Sequence, residues 1–318
     1  MNETAPIRQD PSSWFQSDEA CRFWQSCDRM SARRLSQGSG SVVYCSMRER
    51  GLLGWFSRRS IVQGGPMVDD PAQLEGLLEQ LSAATADTIY TEIRCQGDYS
   101  ALRPVFEAHC YRYRPHLNVL IDCDDEASML SRMSKSHRRK IRIAQVMEQR
   151  GGYQTAYSTD SADFRAFYRL LRRHYWLKVR KPLPSRTWFE ALLRLPSARL
   201  LVCKCQGRVI GGMVQIWYGR TVYDLYACAL DRRHAAYSPS VMLYYHTMCR
   251  LAGQGGGTFD TMGAGQPGVA YGVRDFKQRF GGRTVEYGRF LHINKPALFH
   301  FGSFFFVSLR RNETKAPL

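Results

Sequence analysis

Apolar and polar positions along this chain switch repeatedly between a period of two and a period near four, the pattern of strands alternating with helices. In the first third, apolar residues at helical spacing predict a helix near Ser17–Asp28, and β-branched or alternating runs predict strands at Ser41–Met47, Ser60–Val62 and Thr88–Ile93. Gln63-Gly64-Gly65-Pro66 reads as a turn, followed by a helix at Pro71–Ala83 with Asp70 or Asp69 as its cap. The apolar run Leu117–Asp122 predicts a strand. From Asp124 to Gln149 the spacing predicts one long helix, densely basic in its second half and stopped at Gly151-Gly152.

At Tyr153 the alternation begins again. A strand (Tyr153–Tyr157), a helix (Ala162–Trp176), a Pro-rich loop (Lys181–Ser185) and a helix (Thr187–Leu195) are predicted. Three apolar runs follow, Arg199–Cys205, Val209–Tyr218 and Thr221–Ala229, separated by turns at Gln206-Gly207-Arg208 and Gly219-Arg220, which read as an antiparallel meander. A helix (Pro239–Ala252), a strand (Thr258–Met262), a Gly-rich loop (Gly263–Gly272) and a last strand near Thr284–Leu291 complete the order. The fold class is α/β with mixed sheets of the α+β kind. We expect an N-terminal domain over 1–150, ending in the basic helix, a second domain over 151–294 and an amphipathic tail over 295–318. Both halves begin with a strand and helix and hold a central β segment, so the first reads as a degraded copy of the second.

The length of 318 residues suits two domains, each with its own core. Charge adds a partner class: 45 Lys and Arg against 28 Asp and Glu give a formal net charge of +17, which favours phosphates, nucleic acid or an acidic membrane face. The ten cysteines include no C-x-x-C pair, which argues against a zinc site or a disulfide framework. Cys203 and Cys205 lie two apart in an apolar strand and read as core or half-core thiols. The start of the chain has no basic-then-apolar signal and no apolar stretch reaches about 20 residues, so a cytoplasmic protein without a transmembrane helix is expected.

Three segments, in this order, resemble the Fem family of peptidoglycan bridge-forming aminoacyltransferases and related proteins of the acetyltransferase (GNAT) superfamily. They are the basic helix Ser134-Lys135-Ser136-His137-Arg138-Arg139-Lys140-Ile141-Arg142-Ile143-Ala144, the meander with Gly207, Gly211 and Gly212, and Phe259-Asp260 with Phe276-Lys277-Gln278-Arg279-Phe280-Gly281, similar to the family's F-D and F-K-x-x-F-G. The resemblance covers roughly Gln63 to Asn294. It implies two fused GNAT-like acyltransferase domains, of the compact type without an inserted coiled-coil arm. It also implies an aminoacyl-tRNA donor, or acyl-CoA in more distant relatives, with no tightly bound cofactor and no metal.

Acyl transfer to an amine needs a neutral amine, a nearby carbonyl and a positive or hydrogen-bonding group where the oxyanion develops. Lys277 is the candidate for that charge or for a donor phosphate, with a surface lysine after a β-bulge as the plain alternative. Asp260, ending an apolar strand, is a candidate to accept the amine proton or to fix Lys277, and equally a structural turn carboxylate. The loop Gly263–Gly268 is a weak anion-binding signal. Lys135, Arg138, Arg139 and Arg142 fall at i, i+3, i+4 and i+7, a stripe suited to phosphates or a tRNA backbone, or a solvated helix face. Arg172, Arg173, Tyr175, Lys178, Arg180 and Lys181 form a second basic cluster, with Trp176 interleaved; stacking plus charge would suit a nucleotide or sugar diphosphate, unless Tyr175 and Trp176 end a helix in the core. Tyr226 of the meander, Ser238 and Phe276 join the binding set. Acetyltransferases of ordinary type bind pyrophosphate in an R/Q-x-x-G-x-G/A turn; here the segment Arg233–Ser240 has no glycine, which puts coenzyme A in doubt, and Ser238 is the expected cap of the helix beginning at Pro239.

The expected activity is therefore N-acyl or aminoacyl transfer to an amine of an anionic cell-envelope precursor, such as a lipid-linked peptidoglycan intermediate. The alternatives are an acyl-CoA-dependent transferase of polysaccharide or lipid biosynthesis, and a non-catalytic RNA- or membrane-binding adaptor. Expected partners are the precursor, tRNA and the cytoplasmic membrane face, touched by the tail Lys295–Arg311, whose alternative is a helix docked on the domain.

Overall fold

The computed structural model describes residues 13–48 and 57–300. They form two compact units, one of residues up to His116 together with those from Glu286 on, the other of Leu117–Val285. The boundary expected at 150/151 thus lies inside the second unit.

The first unit contains α1 (Asp18–Ser26), β1 (Met30–Gln37), β2 (Gly40–Met47), β3 (Arg59–Gly64), α2 (Pro71–Thr85), β4 (Tyr90–Cys95), α3 (Arg103–Ala108), β5 (Arg112–Arg114) and, from the far end of the chain, β13 (Arg289–Ile293). Its six-stranded sheet has the order β1-β2-β3-β4-β13-β5. Helix α2 forms because Asp70 accepts a hydrogen bond from the Gln73 backbone N–H at 2.9 Å and Pro71 supplies a preset first turn. Leu74, Leu77, Leu78 and Leu81 recur at helical spacing and are all buried.

The second unit contains β6 (Leu117–Cys123), α4 (Glu126–Arg132), α5 (Lys135–Gln149), β7 (Tyr153–Tyr157), α6 (Ser161–His174), α7 (Arg186–Leu192), β8 (Ala198–Cys205), β9 (Arg208–Tyr218), β10 (Thr221–Ala229), α8 (Pro239–Ala252), β11 (Gly257–Gly263), α9 (Gly272–Gln278) and β12 (Arg283–Glu286). Its sheet runs β12-β6-β11-β10-β9-β8-β7. The meander β8-β9-β10 is antiparallel as expected. In β9 the backbone passes so close to α6 that a Cβ on Gly212 would lie 2.6 Å from the Phe167 ring, which is why the strand carries glycine there.

The two units share one plan. In each, an antiparallel series ends in a parallel pair joined by a helix, β3-α2-β4 in the first and β10-α8-β11 in the second. An antiparallel strand then lies beside the second member of that pair: β13 next to β4, and β6 next to β11. These are two GNAT-like units, the first one strand shorter, and the repeat that self-similarity of sequence left faint is plain in topology. Each closing strand comes from the other side of the chain, since β6 precedes the rest of its unit and β13 follows the whole of the other.

Several elements differ from expectation. The long helix predicted over 124–149 is two helices, because Met133 and Ser134 are extended and Ser134 starts a new one by accepting from the His137 N–H at 3.3 Å. The strand expected near 284–291 is two strands in different sheets, β12 and β13, parted at Gly288 with φ +70°. Helix α6 ends in a π-turn, Tyr175–Val179, closed by Arg180 in the left-handed region at φ +52°. The tail from 301 on lies outside the described residues, so its amphipathic reading rests on sequence. Among the described residues no helix is long and apolar enough to cross a membrane.

Phe290 of β13 is fully buried and stacks on Phe106 of the first unit at 3.9 Å between ring centroids. Phe290→Ala is expected to cost about 3–5 kcal/mol, the usual loss for a buried phenylalanine. Denaturant unfolding followed by circular dichroism measures it.

Candidate active site

Strands β10 and β11 pair in parallel only over Thr221↔Thr258, Val222↔Phe259 and Tyr223↔Asp260. Beyond that level β10 continues to Ala229 and β11 to Gly263, so the two part in the middle of the sheet. Both are irregular just there. The β10–β9 register shifts between Asp224 and Tyr226, and the β11–β6 register shifts between Asp260 and Gly263, where Met262 adopts φ +61°. A parting of central strands leaves backbone groups to satisfy by other means, and polar side chains collect at this point.

Lys277, on α9, supplies one of those means. Its ammonium donates to the carbonyl of Thr261 at 2.5 Å and to that of Gly263 at 2.9 Å, the two that flank Met262. Asp260 supplies another, its Oδ1 accepting from the Met262 N–H at 2.7 Å. On the neighbouring strand, Asp224 accepts from the Tyr244 hydroxyl of α8 at 2.7 Å. All four side chains are buried. Lys277 is thus 6% exposed, which rules out the surface lysine that was its plain alternative, and it is held inside the unit with two carboxylates around it.

Burial governs the electrostatics. It pushes the Asp260 carboxyl up to about 6, against the opposing pull of the Met262 N–H, the Lys277 charge and Asn118. The Asp224 carboxyl is raised by burial too, with Lys277 and Tyr244 acting against it. Lys277 is lowered by burial and raised by Asp224 and Asp260. One ammonium facing two carboxylates that resist ionisation is an arrangement able to take and return a proton near neutral pH.

The F-K-x-x-F-G segment explains how Lys277 arrives there. Phe276 and Phe280 lie one turn apart and pack on Tyr244 at 5.2 and 4.9 Å, with His137 of α5 against both. Gly281 has φ +81°, and a Cβ on it would come within 2.6 Å of Arg132 at the end of α4. The Arg279 carbonyl accepts from the Ser134 N–H at 2.8 Å, so the two segments that carry the resemblance meet at the start of α5. His137 is fully buried, neither ring nitrogen has a hydrogen-bond partner among the described residues, and burial beside Lys140 and Arg279 lowers it to about 4. It fills space as a neutral ring.

The remaining predicted residues divide clearly. Arg138 does not face outward with the stripe: its Nη1 donates to the carbonyls of Leu130, Ser131 and Met133, closing the C-terminus of α4. Lys135, Arg139 and Arg142 are exposed on α5. Tyr175 is half-buried and its ring lies 6.1 Å from that of Tyr226, two residues past Asp224 on β10, while Arg172, Lys178 and Arg180 are exposed. Trp176, expected in the core if not in a binding cluster, is 81% exposed. Ser238 does not cap α8: it sits at φ +43° and its hydroxyl donates to the Ala235 carbonyl. The cap is Asp231, which accepts from the Ser240 N–H at 3.0 Å and from the Ser240 hydroxyl at 2.5 Å. A carboxylate therefore occupies the helix start at which GNAT proteins of ordinary type hold pyrophosphate.

Sequence reading passed over Asp224, Tyr244 and Asn118. Asp224 did leave a signal, as the one charge in Thr-Val-Tyr-Asp-Leu-Tyr-Ala-Cys-Ala; a lone carboxylate inside an apolar strand must be paired or functional.

Comparison with known proteins bears on the fold that carries this site. Residues 131–278 match the acetyltransferase (GNAT) domain family, a span that holds α5, the meander, α8, β11 and α9. No curated protein sequence matches the chain. Among solved structures it is similar to the crystal structure of FemX, with a TM-score of 0.71, 14% identity and coverage of 92% of this chain and 95% of that one. It is also similar to L-PGS from Bacillus licheniformis, with a TM-score of 0.53, 15% identity and coverage of 83% and 84%. The C-terminal domain of a putative lysylphosphatidylglycerol synthetase from Agrobacterium fabrum gives 0.54, 15% identity and coverage of 89% and 88%. Residues 131–278 thus carry an acyltransferase domain of the GNAT type, and the chain as a whole has a fold like that of FemX.

Proposed function

We propose that the chain transfers an aminoacyl group to an amine of an anionic cell-envelope precursor, with Asp260 as the base and Lys277 as the charge that holds the site together. The observation that carries this reading is the buried Asp224–Lys277–Asp260 group at the level where β10 and β11 part. An acceptor ammonium brought there gives its proton to the Asp260 carboxylate, directly or through one water, and the freed amine attacks the donor's ester carbonyl. The tetrahedral intermediate then gives the attacking nitrogen's remaining extra proton to water and collapses, expelling the donor's oxygen, which takes the first proton back from Asp260 to leave as a hydroxyl. Lys277 acts by position: with two N–H groups on the β11 carbonyls it keeps the bulge open and moderates both carboxylates.

An aminoacyl ester is favoured over a thioester of coenzyme A by Asp231, since a carboxylate at the α8 N-terminus repels a pyrophosphate. Acyl-CoA is the second reading, favoured by the GNAT domain match, whose ordinary members use that donor. Incubating the protein with aminoacyl-tRNA or acetyl-CoA and a muropeptide precursor, followed by mass spectrometry, separates the two. A mass gain of one amino-acid residue from aminoacyl-tRNA is expected. An acetyl gain supports the second reading, and RNA binding without transfer from any donor overturns both.

A further inference from the structure

Seven large apolar or aromatic side chains are strongly exposed among the described residues, and five of them lie on two segments next to the site. Trp176 and Leu177, 81% and 55% exposed, sit on the π-turn that ends α6. Val269, Tyr271 and Val273, 55%, 40% and 44% exposed, sit on the loop after β11 and at the start of α9. Both segments belong to the second unit and both touch the site's own elements. Tyr175, which opens the π-turn, packs on Tyr226 of β10, and Tyr271 immediately precedes the helix that carries Lys277.

Cations outnumber acids around this rim, where Asp275 on the first turn of α9 is the acid next to Val273 and Arg274. Residues 172–186 contain Arg172, Arg173, Lys178, Arg180, Lys181 and Arg186 and no acid, and residues 264–274 contain Arg274 and no acid. Arg186 pairs with Glu190 and Arg274 donates to the carbonyls of Gln266 and Val269, which leaves the density of cations highest beside Trp176. Exposed aliphatic side chains gain nothing from a phosphate backbone or from stacked bases. Exposed tryptophan and aliphatics with cations beside them in the same segment gain from a lipid interface, where the ring sits at headgroup level and the cations meet lipid phosphates.

We infer that this rim docks on an anionic membrane surface and so presents the site to an acceptor held in the bilayer. The acceptor half of this inference rests on the function proposed above; the docking half does not, and the test reads docking alone. The full chain is sedimented with vesicles of phosphatidylcholine and with vesicles that also contain phosphatidylglycerol. The expected result is binding to the anionic vesicles only, and an affinity at least about tenfold lower for Leu177→Ser/Val269→Ser/Val273→Ser. Trp176→Phe is expected to keep binding but to lose the quenching of tryptophan fluorescence by bromine-labelled lipid. Far-UV circular dichroism confirms that the variants are folded. Wild-type affinity in the triple variant, unchanged quenching in Trp176→Phe, or binding to tRNA without binding to vesicles would each overturn the inference.

Discussion

Lys277→Met is expected to destabilise the protein by about 3–5 kcal/mol and to abolish acyl transfer together. Methionine keeps the length of the side chain and its fit beside Phe276 and Phe280, so packing is nearly conserved. What is lost is the ammonium. The Thr261 and Gly263 carbonyls lose their donor, and Asp224 and Asp260 lose the positive charge that moderates them. Removing one partner from a buried charged group is the costly case, because the charge left behind stays out of water. Part of the loss is recovered by protonating the carboxylates, so the variant should be less deficient in stability at pH 5 than at pH 8. Urea unfolding at the two pH values tests this; equal losses at both would place the lysine's contribution in packing alone.

Asp260→Asn should have the opposite balance: transfer falls by about 10²–10⁴-fold while the fold is kept. Asparagine offers an oxygen to the Met262 N–H as the aspartate does, and lacks the buried charge. The pH dependence carries the sign. A carboxyl raised from 3.8 to about 6 is protonated in the folded protein over a range where the unfolded chain has released the proton. Its contribution to stability is therefore present below pH 4 and lost as pH rises through 6, reaching a penalty of order 3 kcal/mol above that point. The asparagine variant should lack this slope and be at least as stable as wild type at pH 8. Transfer by the wild type should rise with an acid limb near pH 6, because the base must be ionised. A limb that persists in the residual activity of the variant would assign the proton to another group.

How much of this was legible in the sequence depends on whether one face of each element was buried and the other not. Strand β10 and helix α8 were readable to the residue, the first as an apolar run between two turns, the second because Pro239 opens a long apolar stretch. Strand β1 was not, since Met-Ser-Ala-Arg-Arg-Leu-Ser-Gln buries only Ala32 and lies at the sheet's edge. The break between α4 and α5 was hidden because helical periodicity runs through it and only a serine cap marks the restart. Lys277 and Asp260 stood out through motif resemblance, but their burial did not, because a lysine's spacing does not reveal that two carbonyls turn inward to meet it. Asp224 and Tyr244 are joined by the packing of α8 on β10, a contact twenty residues apart that no local window contains.

The strand that closes the first unit's sheet is made last. During synthesis β4 and β5 leave the ribosome about two hundred residues before β13 arrives to separate them, so the first unit must wait with two unpaired edges. The second unit has all its strands once residue 286 has emerged and so can be complete first, which reverses the order in which the two were begun. Any truncation before Arg289 strands the first unit in that open-edged state, and a fragment meant to isolate it needs β13 supplied as a peptide or spliced in after β4.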